Sequence, residues 1–336
     1  MWTTLKIVSL SLLGLIISSV RSSSSLVHDL EFYKAIDAPW YRLEEPKSIG
    51  GSESGPVVKF TWDFYFNYLT DMGVRNFLLG GYTVKQSKVD RVFQFYPPWD
   101  KAGFKALKER IKAKGGNILA DLGIYTDRTF DKTAFLESVR KFIEDYPVDG
   151  FHLGLHHAHS NAARSLRKVL KAIRRQKLHC SFWFFSTDWQ IVKDRRLGRI
   201  ADTYFVLLWP LYDAFESVFN TDNFAEEAIK NVTLAGVRRS KLALTIPLIA
   251  TVTNGARTGY SFAIFDFKGD PEGNGSVTIS PHESLYFFSQ TRAMDKITLA
   301  RKHGLHGIAL QGSNDKRADL HPWDPRSLLY ALVMNI

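Results

Sequence analysis

The stretch TAFLESVRKFIEDYPVDGFHLGLHH, Thr133 to His157, joins a helix pattern directly to a strand pattern. In its first half, apolar residues recur at helical spacing between charged residues, which predicts an amphipathic helix. The second half, from Val148, is a short apolar run that predicts a buried strand. A helix that leads into a buried strand is the repeating unit of α/β proteins, and the rest of the chain repeats it.

Eight short apolar runs alternate with amphipathic stretches along the chain, and each run predicts a strand. They are VVKFTWDF from Val57, VRNFLLGGYTV from Val74, GNILADLGIY from Gly116, VDGFHLGLHH from Val148, KLHCSFWFF from Lys177, ADTYFVLLW from Ala201, KLALTIPLI from Lys241 and GLHGIALQG from Gly304. Eight strand and helix units predict parallel pairing and closure into a single (β/α)8 TIM barrel. In such barrels the chemistry lies at the C-terminal ends of the strands.

Three further segments complete the predicted organisation of the 336 residues. Residues 23–55, with SSSS near one end and IGGSESG at the other, predict an irregular N-terminal arm, and the barrel domain is predicted over residues 56–336. The segment Ala250 to Glu283 combines alternating apolar positions with Gly and Asn turns. It predicts a short β-hairpin insertion between the seventh and eighth strands.

Residues 1–22 have the pattern of a secretory signal peptide, with Lys6 ahead of an apolar run from Ile7 to Ile17. The run is shorter than the roughly 20 residues of a spanning helix, which favours a signal over an uncleaved anchor. Secretion is therefore the expectation, with glycosylation at the sequons of Asn231 and Asn274. Cys180 is the only cysteine, so packing rather than disulfides must hold the fold.

The chain is basic, with a net charge of +10, and removal of residues 1–22 would take away Lys6 and Arg21. The densest basic cluster falls between residues 164 and 177 at helical spacing. It comprises Arg164, Arg167, Lys168, Lys171, Arg174, Arg175 and Lys177. The favoured interpretation of such a cluster is the solvated outer face of a helix. The alternative interpretation is a surface that binds anionic glycans.

Several stretches resemble glycoside hydrolase family 18, the chitinases and chitinase-like proteins, over roughly Val57 to Ile336. FLESVRKFIEDYPVDGF and SLRKVLKAIRRQ resemble the helices on either side of the family's fourth strand. DLGIY stands where the family has a Ser-x-Gly-Gly-Trp-like run. KLALTIPL resembles the seventh strand, and LARKHGLHGIALQGSND resembles the last helix and strand.

The family's motif on the fourth strand is Asp-Gly-x-Asp-x-Asp-x-Glu, and its alternate acids line one face because a strand has a period of two. Asp149 and Gly150 match it, whereas His152, Gly154 and His156 replace the inward acids. In the family, the Glu protonates the leaving oxygen and the adjacent Asp steadies the substrate's acetamide during substrate-assisted attack. Histidine can donate a proton, but it cannot replace anions beside a developing positive charge.

Two other parts of the family's site are also replaced. Leu208 to Leu211 stand where the family has Met-x-Tyr-Asp, although a shifted strand would restore a Tyr-Asp pair at Tyr212 and Asp213. Gln311 stands where the last strand normally ends in a Trp that floors the sugar subsite. The resemblance therefore implies a barrel without hydrolase activity. The alternative is an active glycosidase with a relocated acid, for which Asp121, Asp188 or Asp213 are the candidates.

The histidines also allow a metal interpretation, which the spacing disfavours. His152 and His156 lie about 13 Å apart along a strand, whereas zinc ligands lie about 2 Å from the ion. His156, His157 and His159 could converge in a loop, but no carboxylate or thiolate is near them in the sequence. Packed or hydrogen-bonded histidines are the favoured interpretation, and neither a metal nor another cofactor is predicted.

Aromatic residues close to the predicted strand ends suggest a glycan cleft, because sugars stack on such rings. The candidate ligand-binding residues are Trp62, Tyr82, Tyr125, Trp209, Tyr212 and Gln311, with Trp183, Phe185 and Trp189 also near strand ends. The alternative is ordinary packing. The expected function is that of a secreted chitinase-like protein that binds carbohydrate or an extracellular protein. No nucleic-acid module and no later membrane span is visible.

Overall fold

The computed structural model describes residues 29–36, 60–92, 98–124, 130–155, 160–211, 215–253, 255–312 and 319–336. The strands, in chain order, are β1 Glu31–Ile36, β2 Asn76–Lys85, β3 Lys88–Arg91, β4 Asn117–Ile124, β5 Gly150–Gly154, β6 His179–Phe185, β7 Thr203–Leu207, β8 Leu242–Ile246, β9 Ile249–Val252, β10 Arg257–Gly259, β11 Ser276–Ser280, β12 Glu283–Phe287 and β13 Gly307–Leu310. The α-helices are α1 Trp62–Met72, α2 Lys101–Ala113, α3 Lys132–Asp145, α4 Ser160–Arg174, α5 Trp189–Asp194, α6 Asp222–Leu234, α7 Tyr260–Phe265, α8 Gln290–His303 and α9 Leu328–Val333.

Eight parallel strands close into a barrel, as the alternating pattern predicts. Their order around the barrel is β1, β13, β8, β7, β6, β5, β4 and β2, and β1 pairs with both β13 and β2. Strand β3 is an antiparallel extension of β2. The single (β/α)8 TIM barrel is therefore confirmed.

The barrel's first strand lies in the segment that the sequence predicted as an irregular arm. Strand β1 contains Glu31 and Lys34, so it lacks the continuous apolar run that marks the other strands. Tertiary contacts satisfy both groups, because Glu31 accepts hydrogen bonds from the Arg75 side chain and Lys34 donates to the Gln311 carbonyl at 3.1 Å. The barrel domain therefore begins at or before Glu31, not at residue 56.

The stretch predicted as the first strand, from Val57, leads into helix α1 instead. The buried positions of this helix have the spacing of one helix face, and they are Trp62, Tyr65, Phe66, Leu69 and Thr70. Thr61 caps the helix, because its hydroxyl accepts a hydrogen bond from the Phe64 N–H at 3.1 Å. The error came from a high density of aromatic residues, which favours strands locally but here follows a helical period.

The insertion between the seventh and eighth barrel strands is larger than the predicted hairpin. Strands β10, β9, β12 and β11 form an antiparallel sheet in that order, and helix α7 lies between β10 and β11 in the chain. Asn220, which precedes α6, ties this sheet to the barrel by donating to the carbonyls of Gly275 and Phe287 at 3.0 and 2.7 Å.

Apolar side chains pack both inside the barrel and between the barrel and its helices. The inner cluster contains Tyr33, Leu78, Leu119, Phe205, Ala243 and Ala309, one from each of six barrel strands. The alternate residues of the same strands belong to the larger outer cluster beneath the helices. This alternation shows which side chains point into the barrel and therefore which ones reach its mouth.

Within the described ranges, no helix has both the length and the apolar character needed to cross a membrane. Cys180 lies in the outer core on β6, and burial raises the pKa of its thiol, so it suits packing rather than nucleophilic chemistry.

Candidate functional site at the barrel mouth

His152 points into the barrel, as the alternation along β5 predicts, but it lies in the packed interior. Its side chain is 5% exposed, its Nδ1 is 2.7 Å from the Ser181 hydroxyl, and its ring meets Phe205 edge to face at 4.8 Å. Burial, with a smaller contribution from His179, lowers the pKa of His152 to about 3. His152 is therefore neutral near pH 7, and a neutral imidazole is far too weak an acid to protonate a leaving group.

Gly154, at the mouth end of β5, is covered by the indole of Trp183 from the neighbouring strand β6. A Cβ atom on Gly154 would lie 2.3 Å from Cε2 and 2.5 Å from Nε1 of Trp183. The two residues are partners in the β5 and β6 register, and Trp183 also packs on the inner cluster. The space of an inward acid at position 154 is thus filled by an aromatic ring.

Trp183 is the residue whose role sequence reasoning missed. In the sequence it is one of several aromatic residues close to predicted strand ends. The available signal was the alignment of β5 and β6, since a glycine on one parallel strand leaves room for a large side chain on the next. That alignment depends on strand register, which a single sequence does not define.

The rim of the mouth carries a row of rings that we call the rim aromatic row, made of Trp183, Phe185 and Trp209. The Trp183 and Phe185 centroids are 5.7 Å apart, and those of Phe185 and Trp209 are 6.3 Å apart. Arg257 of the insertion lies over Trp209 at 5.8 Å and donates to the Pro210 carbonyl at 3.0 Å. Trp183 and Phe185 are half-buried, whereas Trp209 is 7% exposed. The accessible ring surface therefore lies on β6.

Two of the predicted ligand-binding aromatics do not present rings at the mouth. Trp62 is 5% exposed and packs against Phe60 and Tyr65. Tyr82 faces outward and contacts Trp99 and Phe142, each at 4.8 Å between ring centroids.

A bulge in β2 reverses the orientation of Tyr82. Leu79 pairs with Ala120 and Tyr82 with Leu122, so β2 has one residue more than β4 over this interval. Gly80 and Gly81 form the bulge, and Gly81 has a φ of 103°, a conformation that favours glycine. Counting alternate residues from Leu78 would place Tyr82 inside, whereas the extra residue turns it to the outer core.

The candidate acids differ in their access to the mouth. Asp121 on β4 lies on the inward face, half-buried, and its register partner on β5 is His152. Asp188 is 5% exposed in the turn that follows β6. Glu216, a further carboxylate, is 4% exposed and accepts a hydrogen bond from the Thr251 hydroxyl at 3.3 Å. Of these three, Asp121 is the least buried.

The remaining candidates take other places. Gln311 follows β13 half-buried, and its N–H donates to the Ile246 carbonyl at 3.0 Å. Asp149, which aligns with the motif's first Asp, lies at the opposite end of the barrel, where it accepts from the Ile118 N–H at 2.7 Å and pairs with Lys108. Four candidates lie outside the described residues: Tyr125, His156, Tyr212 and Asp213.

In the part of the chain that the structure describes, no group of three or more His, Cys, Asp or Glu side chains could hold a metal ion. His157 and His159, like His156, lie outside that part.

Comparison with solved structures shows the fold of glycoside hydrolase family 18 chitinases. A chitinase from Rhizomucor miehei matches with a TM-score of 0.62 at 13% identity, over 90% of this chain and 99% of that one. A family 18 N-acetylglucosaminidase from Paenibacillus barengoltzii matches with a TM-score of 0.61 at 12% identity, over 92% and 100%. A chitinase-like agglutinin from Robinia pseudoacacia matches with a TM-score of 0.58 at 13% identity, over 78% and 93%.

The resemblance seen in the sequence is confirmed by these structures at the level of the fold. No protein-family model matches the sequence, and no curated protein matches it either.

Proposed function

We propose that this protein is a chitinase-like barrel that binds carbohydrate without hydrolysing it. The observation that carries the proposal is the indole of Trp183 against Gly154, in the space of an inward acid. The neighbouring inward position holds His152, which is buried and neutral. The third replaced position is His156. Hydrolysis by the family's scheme needs an anion beside the developing positive charge, and none of these three residues supplies one.

The rim aromatic row supports a sugar-binding role. Half-buried rings offer flat faces on which the C–H faces of sugars stack. The structural likeness to an agglutinin supports the same role, because a protein of this fold carries that name. An extracellular protein is the alternative partner for the mouth.

Secretion is part of the proposal and rests on the signal pattern of residues 1–22. Asn274 is exposed in a turn in which its side chain accepts from the Ser276 N–H and hydroxyl, and it is therefore the better glycosylation site. Asn231 lies half-buried within helix α6. Anionic glycans are the second class of partner that we propose, and they would bind helix α4 rather than the mouth.

Chitin oligomers and their chromogenic analogues are expected to show no turnover above buffer, with an active chitinase as the positive control. His156→Glu should not restore activity, because position 154 would still lack an acid and Trp183 would still fill its space. Asp121→Asn should leave the rate at the buffer level. Wild-type hydrolysis that Asp121→Asn abolishes would instead establish an active glycosidase with a relocated acid.

Neutral chitin oligomers are expected to bind weakly, with a Kd between about 10 μM and 1 mM, since a few stacking contacts barely exceed the cost of association. Phe185→Ala should weaken this binding by about fivefold or more, a loss of about 1 kcal/mol of ring contact. Phe64→Ala is the matched control, because Phe64 is a 51% exposed ring on α1 whose aromatic contacts are Tyr68 and Trp323. Titration calorimetry would measure both variants, and equal losses in the two would contradict a site at the mouth.

A further inference from the structure

The outer face of helix α4 carries a straight stripe of exposed cations. Arg164, Lys168 and Lys171 on α4 and Arg175 directly after its last residue are all exposed, and their spacing of four, three and four residues places them on one side of the helical path. The stripe is about 16 Å long, given a rise of about 1.5 Å per residue. The opposite face is apolar and buried, with Leu166, Leu170 and Ile173 in the outer core.

A second basic segment, the turn after α5, is fixed against this helix. The Arg167 guanidinium donates from Nη1 to the carbonyls of Arg195 and Arg196 at 2.6 and 2.9 Å. The side chain of Arg196 is exposed and that of Arg195 is half-buried, and both carry a positive charge beside the stripe. Arg167 therefore acts as the joint between two basic segments that the sequence separates by about 20 residues.

Few acids lie along these cations, although the exposed Asp194 directly precedes the turn. The sequence of α4, SNAARSLRKVLKAIR, contains no acid. Among the ion pairs of the described residues, the one that involves this helix is Arg174 with Asp202, at 4.0 Å. Cations three and four residues apart on a helix repel each other, so a bound polyanion would relieve an unfavourable charge arrangement.

The lack of exposed apolar side chains on this surface favours one class of polyanion over the others. Of the described residues, the large hydrophobic side chains that are exposed are Phe64, Val218, Leu234 and Met334, and none is on α4 or in the turn after α5. A membrane-binding surface uses apolar anchors, and single-stranded nucleic acid binds on exposed rings. A linear sulfated polysaccharide needs neither, because closely spaced cations are enough to hold its sulfate groups.

We propose that the α4 stripe and the turn at Arg195 and Arg196 form one composite surface, the cationic surface, that binds linear sulfated polysaccharides. The inference rests on the anionic-glycan part of the proposed function and is independent of the mouth, which lies at the strand ends. The sequence already identifies the basic helix, and the structure adds the turn to it. The helix alone accounts for only part of the positive charge of the cationic surface.

Heparin is the probe, used with the full mature chain. We expect a variant with glutamine in place of four cations to bind heparin about tenfold or more weakly near 0.15 M NaCl. The four replaced residues are Arg164, Lys168, Lys171 and Arg175. The slope of log Kd against log salt should fall by about 0.7 to 0.9 for each contact removed, as for other polyanions. Arg195→Gln with Arg196→Gln should weaken binding as well, because the turn belongs to the same surface. Far-UV circular dichroism should show that the variants remain folded, since these side chains lie outside the core.

The matched control replaces four exposed lysines on other elements, Lys85, Lys105, Lys112 and Lys230, with glutamine. It changes the net charge equally and should retain nearly the wild-type affinity. Equal losses in both four-residue variants would overturn the proposal in favour of net charge, and an unaffected turn variant would overturn the composite surface. Competition by single-stranded DNA as strong as that by heparin, or equal binding to phosphatidylserine vesicles, would overturn the ligand class. Chitin oligomer binding, measured on the same samples, reports the mouth separately.

Discussion

Gly154→Asp, the substitution that would return an acid to the mouth, is expected to lower the free energy of unfolding by about 3 kcal/mol or more. The new Cβ would lie 2.3 Å from the Trp183 ring, far inside van der Waals contact. Trp183 cannot retreat into the barrel, because it packs there on the inner cluster. The added carboxylate would also be partly buried beside an aromatic ring, which disfavours its charge.

Urea unfolding of three further variants separates these causes. Gly154→Ala carries the steric conflict without the charge and should cost about 1 to 3 kcal/mol. Gly123→Ala is the matched control, because its Cβ would meet its nearest neighbour, the Thr83 hydroxyl, at an ordinary 3.4 Å. In a Trp183→Ala background, Gly154→Asp should lose most of its cost. If Gly154→Asp is as costly without the indole as with it, Trp183 does not fill the acid's space.

The wild-type protein is expected to lose more stability on acidification than a His152→Asn variant does. The pKa of His152 falls from an ordinary value near 6.5 to about 3 in the folded state. Below pH 6.5 the unfolded chain therefore binds a proton that the folded protein rejects, so stability is present above pH 6.5 and is lost as the pH falls toward 3. The loss approaches about 1.4 kcal/mol per pH unit and amounts to roughly 2.3 kcal/mol between pH 6.5 and 4.5, because half of the unfolded-state histidine is already protonated at pH 6.5.

The difference between wild type and His152→Asn isolates this one group from others that titrate in the same range. Burial also lowers the pKa values of His179 and His306, which adds to the acid sensitivity of both proteins. Burial raises the pKa of Asp319 to about 6, which opposes it, because the folded state then binds the proton more tightly between about pH 6 and 4. The His152→Asn substitution still provides a polar side chain as a partner for the Ser181 hydroxyl. Parallel stability curves for the two proteins would contradict a neutral, buried His152.

Much of the barrel could be predicted from local pattern. Seven of the eight barrel strands coincide with stretches that the apolar runs marked, and of these β2 extends one residue beyond its run. Buried parallel strands are apolar on both faces, so hydrophobic runs identify them without knowledge of their neighbours. Strand β1 was not predicted, because Glu31 and Lys34 interrupt its apolar residues. Their hydrogen-bond partners, Arg75 and the Gln311 carbonyl, are distant in the chain and are not visible in a local pattern.

For the candidate site, the sequence by itself determined that the family's acids are absent from the fourth barrel strand, since that follows from residue identity at positions with a period of two. It also determined which helix is basic. The tertiary structure alone decided that Trp183 fills the space over Gly154 and that the Gly80 and Gly81 bulge turns Tyr82 outward. It likewise decided that Arg167 joins the turn after α5 to α4. Each of these depends on strand register or on a contact between segments far apart in the chain, and neither is encoded in a local period.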